Sequence, residues 1–490
     1  MLTRPSWRLQ AVRVELFLDP GDPRPRASQL YAQRRDAVAD GALDPGDRLT
    51  PSRIVARELG VSRSTVTEAY GRLGAEGYVE GRAGGGSVVA AAPGPVRSRP
   101  VSAALQPTAR AAAVEPYAEF ADVAATYDCR PGRVDPTLFP MAAWRRCMMA
   151  ALDGSPGQYG DPAGSPDLRV ALAHWVVRSR GVAAIAEQIF VTAGAGHAID
   201  LVARVLLEPG DTVALEEPGY PVVAALLRSQ GLRVVGIPVD DEGIVVDALP
   251  AEARLVYVTP SHQFPLGMVM SRRRRFALLN WATANGAAVI EDDYDSEFRY
   301  TARPLEPLQR LDRDGRVLYV GTFAKTLSAG LRLGFLVAPA SLHRALRAIR
   351  QVSDWCPPTT TQAALAGFIA GGHLDRHLRR ARTVYTERRR LMWETMGELL
   401  PSGYRRLPAV AGLHLTVRAD HSTRTEVPET RRALRRQGLL FSPLEPSYQF
   451  SEPAVGYLLG FAGVPTPHVV PAVRAFTTVL SEAGPPTESV

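Results

Sequence analysis

The sequence has very little lysine, very little cysteine and no long apolar run. Of its 57 basic residues only Lys325 is a lysine. Its three cysteines are far apart, which argues against a disulfide framework and against a zinc site. No run of about 18 apolar residues could cross a membrane, and the N-terminal residues are charged where a signal peptide needs an apolar stretch. We therefore expect a protein of a reducing cytoplasm.

What is present is ordinary for a soluble globular chain. The 490 residues are 46% hydrophobic and 22% charged, which excludes disorder, collagen and coiled coil as descriptions of the whole chain. At about 100–200 residues per domain, this length predicts two to four domains. The net charge is +7, and the first 112 residues carry +5 of it. This asymmetry indicates an anionic partner for the N-terminal part.

The single lysine is informative because arginine has replaced lysine at every other basic position. Arginine supplies charge and hydrogen bonds, but it cannot be deprotonated at working pH and so cannot act as an amine nucleophile. One lysine could also survive by chance. The residues around Lys325 must decide between these two interpretations.

Local composition and hydrophobic pattern predict three parts of the chain. Residues 1–90 form a small basic domain, and residues 91–112, rich in Ala, Pro and Ser, form a linker. From 113 to 490, short apolar strands alternate with helices, which predicts an α/β fold with a mostly parallel sheet and helices on both faces. Beyond about residue 345 a helical stretch leads to mixed segments such as GLHLTV and GYLLGFA, which predict a smaller C-terminal α/β lobe.

The first domain has the pattern of a winged helix-turn-helix. We predict helices over 26–41, PSRIVARELG and SRSTVTEAYGRLGAEG, the last with Ser62 as its N-cap, followed by a glycine-rich hairpin. A recognition helix presents its N-terminal residues to base edges, although a small helical domain with a solvated basic face is the alternative. The expected DNA contacts are Ser52, Arg53, Ser62, Arg63, Ser64, Thr65, Arg82 and Gly85.

A resemblance to a known family supports the DNA-binding interpretation. The segment LTPSRIVARELGVSRSTVTEAYGRLGAEGYVEGRAGGGSVVA resembles the GntR-type winged helix-turn-helix nearly end to end. It departs from that pattern in LTPSR, where the family more often has Leu-Pro-Ser-Ser-Arg. The resemblance implies binding of double-stranded promoter DNA.

Lys325 directly follows a predicted strand, in VLYVGTFAKTLSAGLRLGF, where an amine can condense with an aldehyde cofactor such as pyridoxal 5'-phosphate. This cofactor also needs a carboxylate against its ring nitrogen. The segment AAVIEDDYDSEF supplies Asp292 at a strand end, with Tyr294 for the ring hydroxyl. Tyr220, in EEPGYP, can stack on the ring.

Candidate ligands for the cofactor phosphate also occur. TAGAGH offers the backbone N–H groups of Ala195 and Gly196 at a helix N-terminus, where anions bind favourably, and Thr322 and Arg332 flank the lysine. Each piece alone has another interpretation. The aspartates near 292 could form a solvated turn or a divalent-metal site, Tyr220 could be packing, and Arg332 could be a structural ion pair.

Order and spacing together resemble fold-type I aminotransferases across roughly residues 115–480. The segments YGDPAGSPDLR, VTAGAGHAIDL, EEPGYP, TPSHQFPLG, EDDYDSEF and GTFAKTLSAGLRLG fall in the order of that family. The resemblance implies that Lys325 forms a Schiff base, an aldimine, with the cofactor. It implies that Asp292 and Tyr294 hold the ring, that Thr322 and Arg332 hold the phosphate, and that Tyr159 reaches the phosphate of a neighbouring subunit.

A winged helix joined to such a domain looks like the MocR family of bacterial regulators, also called GabR-like. The resemblance implies a head-to-tail homodimer in the cytoplasm, associated with the nucleoid when bound to DNA. It implies sensing of pyridoxal phosphate, as in PdxR-like control of vitamin B6 synthesis, or of an amine or amino-acid effector. One alternative is an aminotransferase with an accessory DNA-binding domain. Another is a DNA-binding protein whose large domain serves only as a dimerisation scaffold.

Two departures favour sensing over catalysis. Transaminases commonly have Asn-Pro-x-Gly, with the Asn on the ring hydroxyl, whereas this chain has Phe264 before Pro265. They also tend to carry an arginine near the C-terminus that clamps the substrate carboxylate, and GYLLGF has leucine there. Arg418 is a candidate substitute. The arginine clusters 272–275 and 388–390 are expected to be solvated helix faces.

Overall fold

A computed structural model describes residues 14–82, 86–90, 105–112, 114, 125–154, 157, 159–300, 306–420 and 427–482. The chain divides into two compact units, residues 1–106 and 107–490. The domain bounds 1–90, 91–112 and 113–490 stay a prediction. Of the predicted linker, the structure describes 105–112, within which Ala109–Ala112 form one helical turn.

The first unit is built from three helices and a hairpin. These are α1 (Arg26–Ala39), α2 (Ser52–Glu58), α3 (Arg63–Ala75) and the antiparallel strands β1 (Val79–Arg82) and β2 (Gly86–Val89). Ser62 begins α3 as its N-cap, and its hydroxyl accepts a hydrogen bond from the Thr65 N–H at 3.2 Å. Val66, Ala69, Tyr70 and Leu73 of α3 are buried. The winged helix-turn-helix fold is therefore confirmed.

The second unit alternates helices and strands. Its helices are α4 (Ala109–Ala112), α5 (Met141–Leu152), α6 (Pro166–Arg180), α7 (Ala195–Leu206), α8 (Pro221–Ser229), α9 (Arg272–Asn285), α10 (Leu308–Leu311), α11 (His343–Ser353), α12 (Thr359–Ala370), α13 (His373–Leu399), α14 (Val427–Arg436) and α15 (Thr466–Glu482). Its strands are β3 (Tyr127–Asp128), β4 (Ile189–Thr192), β5 (Thr212–Glu217), β6 (Arg233–Asp240), β7 (Gly243–Ile244), β8 (Ala253–Val258), β9 (Ala288–Asp293), β10 (Val317–Thr322), β11 (Gly334–Val337), β12 (Tyr404–Arg406), β13 (His414–Ala419), β14 (Leu439–Leu440), β15 (Ser442–Pro443) and β16 (Gly456–Gly460).

Eight strands form the main sheet, in the order β4-β11-β10-β9-β8-β5-β6-β7. From β10 to β6 the neighbours pair in parallel, whereas β11 and β7 run antiparallel. One face packs on α7 and α8, and the other packs on α9. The central strands are continuous apolar runs because both faces are covered. The carboxyl ends of parallel strands meet at one edge, which is where α/β sheets bind ligands.

The smaller lobe contains the antiparallel sheet β12-β13-β16-β15, and α14 and α15 pack against each other beside it. The segment 127–132, at the start of the second unit, is part of this lobe. Its strand β3 pairs in parallel with β14. Beyond β3, the Cys129 N–H donates to the Leu440 carbonyl at 2.8 Å and the Cys129 carbonyl accepts from the Gly460 N–H at 2.7 Å.

The expectation that both arginine clusters are solvated is wrong for two of their members. Arg275 is 1% exposed and donates to the backbone carbonyls of Pro260 and Met270. Arg388 is 4% exposed and donates to the Asp135 carboxylate and to the Ala462 carbonyl. Both are buried because a guanidinium can satisfy several acceptors at once. Within the described residues no helix is long and apolar enough to span a membrane.

Candidate functional site

Five elements bring the predicted cofactor residues to the carboxyl edge of the main sheet. Asp292 lies at the end of β9, and Thr322 ends β10. A short π-helical turn, Ala324–Ser328, follows β10 and carries Lys325. The loop after β4 leads into α7, and the loop after β5 leads through Tyr220 into α8. Sequence-distant residues therefore meet because their strands are neighbours in one sheet.

The Lys325 amine lies against the backbone of Gly132. Its Nζ donates to the Gly132 carbonyl at 3.2 Å. Gly132 has a φ of +83°, and a Cβ at this position would run into the end of the lysine side chain. Burial lowers the pKa of the Lys325 amine, against the opposing effect of the Asp295 and Asp292 carboxylates. A lowered pKa increases the fraction of neutral amine, which is the nucleophilic form.

Asp292 has one carboxylate oxygen that is engaged and one that is not. Its Oδ2 accepts from the Tyr257 hydroxyl at 2.7 Å. Its Oδ1 is buried and has no hydrogen-bond partner among the residues that the structure describes. Burial raises the pKa of Asp292 to about 7, although the Tyr257 hydrogen bond acts to lower it. Asp292 is only 5% exposed, so the solvated-turn alternative is wrong for it.

Arg332 and the N-terminus of α7 converge at a candidate phosphate site. The Arg332 Nη2 donates to the Ala193 carbonyl at 2.9 Å, and a Cβ at Gly194 would stand 3.6 Å from this guanidinium. Helix α7 begins directly after Gly194, at Ala195 and Gly196. A helix N-terminus beside a guanidinium favours an anion. At the start of the turn that carries Lys325, the Thr322 hydroxyl accepts a hydrogen bond from the Ala324 N–H at 3.2 Å.

Two predicted aromatic residues differ in their surroundings. Tyr220 precedes α8 and meets the Phe264 ring edge-on, with centroids 5.3 Å apart. Tyr159 is 85% exposed, and its ring contacts Trp355 with centroids 5.0 Å apart. The Tyr159 ring is thus open to contact with another molecule, and the reach to a neighbouring subunit stays a prediction.

The sequence did not single out a buried cluster behind Tyr294. The Tyr294 hydroxyl lies 3.0 Å from His262 Nδ1 and 3.0 Å from the His262 carbonyl oxygen. Asp295 Oδ1 lies 3.1 Å from the same Nδ1. The His414 ring stands 5.0 Å from the His262 ring, and burial lowers its pKa to about 4. The only sequence signal was a histidine next to a buried strand, in TPSHQFPLG.

These residues fit pyridoxal phosphate. The unpartnered Oδ1 of Asp292 suits the protonated ring nitrogen, the Lys325 amine suits the aldehyde, and the α7 N-terminus with Arg332 suits the phosphate. The candidate substitute Arg418 lies on β13, four residues beyond His414, and contacts Tyr448. The segment GYLLGF places apolar residues on β16 and contributes no arginine there.

In the first unit, the predicted DNA-contacting residues surround the start of two helices. Arg53 and Arg63 are exposed, and neither guanidinium has an ion-pair partner among the described residues. The Ser62 hydroxyl lies 2.7 Å from that of Ser64 and 2.8 Å from that of Thr65, and Ser52 is the first residue of α2. Gly85 and the side chain of Arg82 lie outside the described residues.

Comparisons with known proteins agree with both units. The family "Aminotransferase class I and II" matches residues 135–451, and "Bacterial regulatory proteins, gntR family" matches residues 26–89. The probable rhizopine catabolism regulatory protein MocR of Rhizobium meliloti is 37% identical over 457 residues, 92% of each chain. The HTH-type pyridoxine biosynthesis transcriptional regulator PdxR of Corynebacterium glutamicum is 35% identical over 407 residues, 83% of this chain and 86% of that protein.

Solved structures resemble the second unit. The multiple substrate aminotransferase of Thermococcus profundus is 28% identical with a TM-score of 0.68, covering 77% of this chain and 96% of that one. Kynurenine aminotransferase of Pyrococcus horikoshii, solved with PMP, is 27% identical with a TM-score of 0.68, covering 74% and 92%. The chain therefore belongs to the MocR family of transcriptional regulators, in which a gntR-type helix-turn-helix is joined to an aminotransferase-like domain that uses pyridoxal phosphate.

Proposed function

We propose that this regulator binds promoter DNA as a homodimer and senses pyridoxal phosphate, or an amine or amino-acid effector, through Lys325. One observation carries the proposal. A single chain combines a helix-turn-helix that exposes Arg53 and Arg63, neither with an ion-pair partner among the described residues, with a second unit that brings Asp292, Arg332 and the α7 N-terminus to the sheet edge that carries its one lysine. The second unit lacks the arginine expected on β16 for holding a substrate carboxylate.

The residues of this chain divide the work of holding the cofactor. Pyridoxal phosphate supplies an aldehyde that bonds to amines and a ring that withdraws electrons. Lys325 provides the amine, whose pKa is lowered by burial. With the cofactor bound, Asp292 would accept a hydrogen bond from the ring nitrogen, and Arg332 with the α7 N-terminus would hold the phosphate. Tyr220 would pack against the ring.

Pyridoxal phosphate itself is the effector that we favour. The PdxR relative is named as a regulator of pyridoxine biosynthesis and is 35% identical. Leucines at 458 and 459 of β16 cannot replace a bidentate carboxylate clamp. Binding can change the DNA-bound state only if the effector has different affinities for the two states.

A homodimer is supported by apolar side chains exposed on one helix. Helix α5 exposes Met141 at 55%, Met149 at 58% and Leu152 at 54%, and Tyr159, beyond the end of the helix, is 85% exposed. Exposed apolar patches often mark protein–protein interfaces. A second copy seated there would bury this patch and would bring Tyr159 against the neighbouring subunit.

The proposal is tested by measuring DNA affinity with and without pyridoxal phosphate. The native protein and the Lys325→Arg variant, which keeps the charge but lacks a nucleophilic amine, are titrated onto DNA from upstream of the protein's own gene. We expect the cofactor to change the affinity of the native protein and not that of the variant. An equal response of both proteins would contradict sensing through Lys325.

An aminotransferase function is the second candidate. Its support is the likeness of the second unit to aminotransferases over most of their length. Sustained turnover of amino donors with a keto acid, measured on the native protein and lost in Lys325→Arg, would favour it over sensing. A single half-reaction without turnover agrees with a sensor.

A further inference from the structure

Phe264 occupies the position at which transaminases have the asparagine of Asn-Pro-x-Gly. Its ring meets Tyr294 edge-on at 6.3 Å and Tyr220 edge-on at 5.3 Å. A phenyl ring cannot donate a hydrogen bond to the ring hydroxyl of the cofactor. The family resemblance assigns Tyr294 to the same ring hydroxyl, so the groups that hold Tyr294 become important.

His262 holds the Tyr294 hydroxyl from two sides. The Tyr294 hydroxyl donates to the His262 carbonyl at 3.0 Å, and its oxygen also lies 3.0 Å from His262 Nδ1. Asp295 lies against the same Nδ1, with Oδ1 at 3.1 Å and Oδ2 at 3.2 Å. The ring has no room to turn, because a Cβ built on Gly412 would overlap it and one built on Gly267 would stand 3.6 Å from Nε2.

The hydrogen bonds decide which nitrogen of His262 carries the proton. An ionised carboxylate only accepts, so the Nδ1 beside Asp295 must be the N–H. This N–H faces both Asp295 and the Tyr294 oxygen. Nε2 is buried and has no hydrogen-bond partner within the described part of the chain. The Tyr294 oxygen can accept from Nδ1–H, while its own single hydrogen is donated to the His262 carbonyl. With the cofactor bound, the ring hydroxyl would replace that carbonyl as the acceptor.

We propose that His262, oriented by Asp295, is a positioning residue that makes Tyr294 a stronger donor to the ring hydroxyl of the cofactor. The hydrogen bond from His262 to Tyr294 thereby compensates for the asparagine donor that Phe264 lacks. This inference rests on the proposed use of the site for pyridoxal phosphate. It does not depend on whether cofactor binding changes DNA affinity.

The groups around His262 fix the expected direction of the effect. Asp295 and Tyr294 touch it, His414 of β13 stands beside it, and Lys325 is electrostatically coupled to Asp295. A donor to the ring hydroxyl oxygen withdraws charge from it and so weakens the hold on the proton shared with the Lys325 nitrogen. Loss of the donor therefore raises the pKa of that proton.

The experiment follows the visible absorption of the cofactor-bound protein as a function of pH. For His262→Phe we expect the titration midpoint to rise by about half to one pH unit, the equivalent of one neutral hydrogen bond. His262→Asn, which keeps an N–H near the Nδ1 position, should restore the native midpoint. His414→Phe removes an equally buried imidazole that does not touch Tyr294, and should leave the midpoint unchanged.

A double-mutant cycle separates positioning from a general loss of structure. Tyr294→Phe should raise the midpoint, and adding His262→Phe should raise it no further because His262 acts through Tyr294. Fully additive shifts, or an unshifted midpoint in His262→Phe, would overturn the proposal. If His262→Phe does not fold, Asp295→Asn takes its place. We expect its titration midpoint to rise, and an unchanged midpoint would overturn the proposal.

The outcomes also separate this inference from a metal site and from the proposed function. Ligand atoms of His262, Asp295 and His414 lie within 4.8 Å of one another, so a change of the spectrum on EDTA treatment would assign the cluster to a cation and refute positioning. Absence of a cofactor band in the native protein would refute the proposed function. A band that shifts as expected without any effect on DNA binding would refute sensing alone.

Discussion

Replacing Asp292 by asparagine should have opposite effects on cofactor binding and on the cofactor-free protein. Burial raises the pKa of Asp292 from 3.8 to about 7. At about 1.4 kcal/mol per pKa unit, keeping this buried carboxylate charged costs roughly 4 kcal/mol even with its Tyr257 hydrogen bond. The ring nitrogen of the cofactor offers the unpartnered Oδ1 a charged donor. Such a bond contributes about 1.5–3 kcal/mol, so the substitution should weaken cofactor binding roughly 10- to 150-fold.

The sign for the cofactor-free protein follows from proton linkage. The folded-state pKa lies above the unfolded value, so the native form loses stability as pH rises from about 4 to about 7. An asparagine amide does not titrate in this range. We therefore expect the Asp292→Asn protein to unfold at a higher temperature than the native one at a pH of about 8.

The assay pairs equilibrium dialysis of the cofactor with thermal unfolding. Asp293→Asn is the matched control, because Asp293 points to the opposite face of β9, where it accepts from the Tyr319 hydroxyl at 2.7 Å. This control should keep the native cofactor affinity. Asp292→Asn with undiminished affinity would refute the assignment of Oδ1 to the ring nitrogen.

The remaining perturbations act on DNA contact, on pH and on a buried ion pair. Arg53→Ala should lower DNA affinity for all sequences and reduce by about 1 the slope of log affinity against log salt concentration. Fluorescence anisotropy at several salt concentrations measures this slope, and an unchanged slope would contradict a phosphate contact. Burial raises the pKa values of Glu216, Glu291 and Glu297 to about 7, so the free energy of unfolding of the cofactor-free protein should fall between about pH 4.5 and 7. Denaturant titrations that show a rise over this range would contradict this. Arg388→Met leaves a buried carboxylate unpaired and should cost about 3–5 kcal/mol of stability; a loss below about 1 kcal/mol in chemical denaturation would mean that Asp135 is satisfied by its other partners.

Residues that follow buried strands could be placed from the sequence. An apolar run locates the end of a parallel strand, and such ends share one edge of the sheet. Asp292 and Lys325 were found in this way, since Asp292 lies at the end of β9 and Lys325 lies three residues beyond the end of β10. Ser62 was found because an N-cap serine has a local signature that needs no tertiary information.

Residues that meet only through tertiary packing could not be placed. His262, Asp295 and His414 come from three separate segments, and His414 joins the others only because β13 of the smaller lobe lies against the edge of the main sheet. Arg275 and Arg388 looked solvated because their neighbours in sequence are arginines. Their burial depends on carbonyl groups in distant loops, which charge pattern does not reveal.

The segment 127–132 has a mechanical consequence. Its far end, Gly132, receives the hydrogen bond of the Lys325 amine, and its near end is strand β3, bound to β14. Between them Cys129 is hydrogen-bonded to Leu440 and Gly460. A covalent backbone this short does not stretch. If the Lys325 amine moved away from the Gly132 carbonyl, it would free one end of a short backbone segment whose other end is fixed to the smaller lobe.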